Sequence, residues 1–226
     1  MLPTSRGLRL GIIFFSLVGP WFATAAVHAA DIEVREFSVN IDAKPAGQYQ
    51  MTINRQDDGT VQMSGRCDTQ VTYVAVLKYT YSYQGTETWK DGRLRKLDSS
   101  SDDNGKRFNV QVVPDTDGLR INANGQTQTA PANSWLTTYW SLPDAKLRNH
   151  AVSLIDADTG RIIPAKLDYV GPAQLTIAGQ EQNYAHYRLT GGVQVELWFD
   201  NQERLVRQEW VEDGHKAVLE LARIRR

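Results

Sequence analysis

Cysteine is almost missing from this chain. Cys67 stands alone among 226 residues, so no internal disulfide can form and packing must hold the fold. Exported proteins often carry disulfides, but a chain of this length buries enough surface to do without them. Cys67 is either a reactive thiol or a small residue near a strand end. With Arg66 and Asp68 beside it and no histidine close in sequence to take its proton, it reads as the second. Also missing is an excess of one charge. The formal net charge is −1 with both signs interspersed, whereas a nucleic-acid partner would require a basic stripe. Chemical motifs are lacking too. There is no G-x-S-x-G elbow, S-x-x-K, phosphate-binding loop or dinucleotide glycine pattern. His150, His186 and His215 lie far apart, without the paired spacing of a zinc site. Asp156-Ala-Asp158-Thr-Gly160 starts like a calcium loop, but Arg161 and two isoleucines follow where further oxygen ligands are needed. Its D-T-G triplet occurs once, whereas an aspartic protease needs two facing copies. The segment reads as a turn joining VSLID to RIIPAKL. The expectation is therefore no cofactor, no metal and no catalytic residue, with an enzyme built from dispersed residues as an outlying alternative.

What is present begins with an export signal. Arg6 and Arg9 precede an apolar run at 10–18 (LGIIFFSLV), with no acid before Asp31. Gly19-Pro20 ends the run well short of the roughly twenty residues a spanning helix wants. Small residues then follow in ATAAVHAAD, which suits cleavage after Ala29, with Ala30 as the alternative. The mature chain has 226 − 29 = 197 residues and a charge of 23 − 26 = −3. It fits one periplasmic domain, and no later run is long or apolar enough to span a bilayer.

The mature sequence alternates. Phe37, Val39 and Ile41 share one parity, as do Tyr49, Met51 and Ile53, and then Phe108, Val110 and Val112. Between such runs stand Asp58-Gly59, Asp91-Gly92, Asn104-Gly105, Asp117-Gly118, Asn124-Gly125 and Asp213-Gly214. These pairs favour hairpin turns because both residues tolerate positive φ. The pattern predicts an all-β, mainly antiparallel fold: a strongly curved meander forming a half-barrel or open barrel. The segment 71–83 reads as one continuous strand of about 40 Å, which must bend with the sheet. Ser99 to Asp103 reads as a solvated strand end and turn. Only 130–150 breaks the rhythm. Its S-x-x-D spacing from Ser141 to Asp144 predicts a short helical insertion near 133–149, with turns at 133–139 and 142–149, acting as a lid or plug.

Aromatic residues are the informative class. In a sheet they serve as core and cross-strand pairs, or they line an apolar cavity with a few placed polar groups. Tyr73, Leu77, Tyr79 and Tyr81 share one parity in the long strand. Together with Trp135 or Trp140 from the insertion they form the candidate ligand site. Trp198 shares the mixed face of its strand with Glu196.

The stretches FSVNIDAKPAGQYQMTI, ETWKDGRL, SSDDNGK, LTTYWSL, LIDADTGRI and LWFDNQERLVRQEWVEDGHKAVLEL cover nearly all the mature chain. They resemble an uncharacterised family of exported proteobacterial β-proteins, a domain of unknown function. At fold level the chain is similar to periplasmic lipoprotein carriers with curved sheets, an analogy that carries little functional weight. The resemblance implies a periplasmic β-domain without assigned activity. Two functions follow as expectations: a non-enzymatic carrier of an apolar small molecule or lipid, or an envelope interaction protein that docks another protein.

The export reading makes the first prediction. N-terminal sequencing of protein from a periplasmic extract should begin at Ala30 or Asp31, and an intact Met1 would overturn the reading.

Overall fold

The computed structural model describes residues 31–73 and 77–226, with side chains given outside 72–78. The expected signal at 1–29 lies outside the described residues. The strands run in chain order as β1 (Asp31–Ile41), β2 (Lys44–Arg55), β3 (Thr60–Tyr73), β4 (Leu77–Lys90) and β5 (Arg93–Asp103). There follow β6 (Lys106–Asp115), β7 (Gly118–Ala123), β8 (Gln126–Ala130), β9 (Trp135–Leu136) and β10 (His150–Ile155). The last are β11 (Ile162–Ile177), β12 (Gln180–Gly191), β13 (Val195–Phe199), β14 (Leu205–Glu212) and β15 (His215–Arg225). All belong to one 15-stranded sheet. From β1 to β8 each strand pairs with the next, and β10 to β15 do likewise. The two runs join where β1 pairs β15. All ladders are antiparallel except the short β9–β10 pairing. The edges are thus β8 and β9, and they are tied by the chain at 131–134 rather than by a ladder. This is the expected curved open barrel.

Turn chemistry drives the meander. Asp91-Gly92, Asn104-Gly105, Asn124-Gly125 and Asp213-Gly214 have positive φ at both residues, the backbone of the tight hairpin turn that matches strand twist. Alternation then sends one parity inward. Phe37, Met51, Ile53, Met63, Leu97, Val112 and Ile121 are all buried in a single core.

Two expectations need correction. The segment 71–83 is not one strand. It is the two arms of the β3–β4 hairpin, with Val71 opposite Tyr79 and Tyr73 opposite Leu77, so the chain reverses between Tyr73 and Leu77. Facing positions have the same parity on both arms, so alternation passes through the reversal unbroken. No glycine, proline or asparagine marks it. The helical insertion is also reduced. Its only helical element is one 3-10 turn at Ala145–Leu147, capped by Asp144, whose side chain accepts from the Lys146 amide. The 133–139 stretch instead gives its backbone to the sheet edge: Trp135 pairs with Leu154 and Leu136 with Ile155.

Three pieces of chain cover the inner face. The first is the β10–β11 turn at 156–160, which lies against the wall made by β5 to β8. Ser99 Oγ donates to Ala157 O at 2.6 Å, Ser101 Oγ to Asp158 O at 3.0 Å, and Gln128 Nε2 to Gly160 O at 2.7 Å. Two of the three serines expected in a solvated strand end, Ser99 and Ser101, are therefore inward clamps within β5. The second is the segment 131–149. The third is the far arm of the β11–β12 hairpin, which continues beyond the ends of β10 and β13. A bulge between Tyr169 and Gly171 bends it. Gly171 sits at φ +138°, a conformation that L side chains rarely adopt. Ile177 and Tyr184 on this arm are buried in the common core, with Ala173 and Leu175 packed against it.

Gly160 shows how closely the turn fits. Its φ is +76°, and a Cβ there would stand 2.8 Å from Ala123 Cβ. Gly160→Ala should lower stability by about 1–3 kcal/mol through strain and overpacking, read as a lower urea midpoint with an unchanged far-UV spectrum. An unchanged midpoint would mean that the turn does not bear on the wall.

Candidate functional site

The expected site residues do not converge. Tyr73 and Leu77 face each other in register where the β3–β4 hairpin closes, and their side chains lie outside the described residues. Tyr79 is partly buried, and burial followed by Asp103 raises its phenol above the usual range. Tyr81 donates to Asp158 Oδ2 at 2.8 Å and borders an open recess of ≈ 560 Å³, together with Ala46, Thr69, Ser82 and Gly105. The tryptophans lie elsewhere. Trp135 is buried edge-on against Tyr139, at 4.8 Å between ring centroids. Trp140 bonds to Glu87, six positions along β4 from Tyr81, or about 20 Å at the usual rise. The hairpin reversal and the loss of the helical turns together place the tyrosines and the tryptophans at opposite ends of β4.

Sequence reasoning missed the charged groups inside. Glu87 has no solvent exposure. It accepts hydrogen bonds from Thr138 Oγ1 at 2.6 Å, Trp89 Nε1 at 2.7 Å and Trp140 Nε1 at 2.9 Å. Burial pushes its carboxyl up to about 7 against those donors. Two of the donors belong to the 131–149 segment, so Glu87 fastens that segment to β4. Asp158 is likewise pushed up to about 7, by burial and then by Asp156, with the Tyr81 bond opposing. On β1, three ladders across from Glu87, Arg35 is fully buried and its Nε donates to Glu33 Oε1 at 2.7 Å. Its Nη1 donates to the Trp140 carbonyl, while Nη2 has no partner. Arg204 holds Glu33 Oε2 at 3.1 Å and also pairs with Asp200. Burial alone would raise Glu33, but Arg35 and Arg204 outweigh it and hold the carboxyl down to about 2. A signal existed for these groups: Glu33, Arg35 and Glu87 occupy the inward parity of strands otherwise apolar on that side.

The interior groups are enclosed by protein and partnered with one another, an arrangement that positions chain segments. Burial pushes the Cys67 thiol up to about 11, which leaves it unreactive at neutral pH. No group of three or more His, Cys, Asp or Glu among the described residues is placed to hold a metal ion. No helix among them is long and apolar enough to cross a membrane.

The open volume lies outside. A groove of ≈ 560 Å³ crosses the outer face from β3 to β7. Register sets its lining in two transverse rows. One runs Ser64, Thr86, Asp98, Gln111 and Asn122, each facing the next across a ladder. The other runs Arg66, Gln84, Ser100 and Asn109. Between the rows, Gly65 faces Gly85, and this pair also borders the groove. On the inner side of the pair, the space two Cβ atoms would need is taken by the Tyr49 and Tyr83 hydroxyls. No signal in the sequence marks the groove, because its residues are ordinary for an exposed sheet face.

A family model described as a domain of unknown function, DUF6134, matches residues 37–222. Among solved structures the chain is similar to the crystal structure of a β-barrel-like protein of the domain of unknown function DUF1849 from Brucella abortus. The TM-score is 0.63 at 8% identity, over 85% of this chain and 96% of that chain. At that identity the likeness concerns the fold alone. No curated protein matches the chain.

The interior carboxylates set the pH response. Glu87 has a pKa of about 7 in the fold against 4.5 for a free glutamate, so folding favours its protonated form. Its stabilisation is full below about pH 4.5 and is lost as pH rises through 7, by about 3 kcal/mol. Asp158 acts in the same direction. Glu33, depressed to about 2, loses its contribution only as pH falls below the ordinary carboxylate range, outside this window. Urea midpoints should therefore fall from pH 5 to pH 8, and Glu87→Gln should remove about half of that fall, the remainder belonging to Asp158. An equal pH slope in the variant would refute the assignment.

Proposed function

The chain belongs to the DUF6134 family, a domain of unknown function, and from that footing we propose an exported, non-enzymatic binding protein of the cell envelope that meets its partner on the outer face of its sheet. One observation carries this reading. The inner face is occupied by the protein's own turn, segment and arm, while the outer face holds an open groove with none of the described residues lying across it. Export rests on the charged, apolar and small-residue succession of residues 1–30. A non-enzymatic role is supported by the enclosed position of Glu87 and Arg35, which meet other groups of the protein rather than a surface a substrate could reach. A second reading, a carrier of an apolar small molecule or lipid, is favoured by the recess beside Tyr81, with Tyr73, Leu77 and Tyr79 farther out on the same hairpin.

Photo-crosslinking in cells tests the two together. A benzophenone side chain is placed at Gln111 in the groove, at Ser82 in the recess, and at exposed Gln180 as a control. The outer-face reading expects a defined adduct from position 111 that disappears when Ser100→Trp fills the groove. A lipid-mass adduct from position 82 alone would transfer the assignment to the carrier. No adduct above the control would overturn both.

A further inference from the structure

We propose that the outer groove takes a neutral, hydroxyl-rich sugar chain laid across the strands. This rests on the reading of the outer face as the working surface and names the class of its occupant. The two rows present amides and hydroxyls from five successive strands, over about 19 Å at normal strand spacing. A sugar hydroxyl both donates and accepts, and a carboxamide or hydroxyl side chain answers both needs. Among the described residues Gln84, Ser100 and Gln111 make no side-chain hydrogen bond within the protein, so their donors and acceptors remain for a ligand. The groove's two charges are already matched by neighbours: Arg66 pairs with Asp68 at 3.0 Å and Asp98 with Lys96 at 2.5 Å.

That lining selects among occupants. A nucleic acid or polyanion would require unmatched cationic groups. A docked protein helix or an extended apolar peptide would require apolar pockets for its anchors, and the one apolar residue bordering the groove, Val110, is buried with its side chain turned to the 156–160 turn inside. Neutral hydroxyl arrays fit what remains. Between the rows the inward-facing positions, Gly65 and Gly85 among them, leave only backbone on the outer side. Aromatic platforms are absent from this lining, so binding depends on hydrogen bonds alone and will be weak per sugar unit. It must be gathered along the chain, which suits a groove extended over several strands.

Heteronuclear NMR titration of the mature chain with chitohexaose, and separately with the anionic polymer polygalacturonate, tests the proposal. Saturable shifts are expected with chitohexaose, confined to outward positions of β3 to β7. Gln84→Ala combined with Gln111→Ala should weaken binding about tenfold or more, as loss of two hydrogen bonds implies. Both positions are exposed, so the melting temperature should not change. No saturable binding of chitohexaose, equal binding by the double variant, or binding of polygalacturonate alone would overturn it. If the sugar fails while the Gln111 adduct persists, the outer face still works but holds another class of partner. Loss of the adduct as well removes the underlying reading.

Discussion

A sheet with one apolar face must cover it, and this chain has no α-helix among the described residues with which to do so. Curling the sheet hides much of the face, but the ladder does not close between β8 and β9. The remaining area is covered by irregular pieces, and those bring backbone amides and carbonyls into a place where each must find a partner. That necessity explains the polar groups inside. Ser99, Ser101 and Gln128 answer the carbonyls of the 156–160 turn, Thr137 Oγ1 answers the Ala157 amide, and Arg35 answers the Trp140 carbonyl. The inner wall is apolar where it meets side chains and polar where it meets backbone.

The buried charges follow the same logic at higher stakes. Glu87 gathers two indole N–H groups and a hydroxyl that would otherwise lie unpaired in the core. Each bond is modest, but an unmet buried donor is costly. Glu33 and Arg35 form a pair whose desolvation roughly offsets its attraction, so the pair locks geometry more than it adds stability. Arg204, reaching Glu33 from the β13–β14 turn, extends the lock to the other half of the sheet. Because β1 is the strand where the two runs of the meander join, the network sits at the seam.

Much of the fold was legible because hairpins are local. A pair such as Asn104-Gly105 states its turn within two residues, and alternation on either side states the face. Legibility failed where the signal was nonlocal. The reversal between Tyr73 and Leu77 is marked by no turn residue in the sequence, and equal parity on both arms imitates one strand. Trp135 and Leu136 pair with β10 only because the whole sheet curls round to bring it there. The candidate aromatic site failed for the same reason, since residues near in pattern proved distant along β4. Asp156–Gly160 was legible as a turn, but not as the piece that fills the inner face.

The outer groove and the aromatic interior are the two faces of the same strands. Tyr49 and Tyr83 need room for their hydroxyls, and Gly65 and Gly85 supply it by lacking Cβ atoms at facing positions of β3 and β4. Glycine in a strand weakens it and removes side-chain bulk, so the aromatic rings must restore the packing that the glycines give up. On the reverse of this pair the flanking outward residues, Ser64, Arg66, Gln84 and Thr86, stand around a low backbone floor. That floor does not depend on the glycines, whose side-chain positions face inward and serve the tyrosine layer; the depression is framed by outward side chains of β3 to β7. A surface built in that way keeps its shape without a ligand, which lowers the ordering cost that binding must overcome.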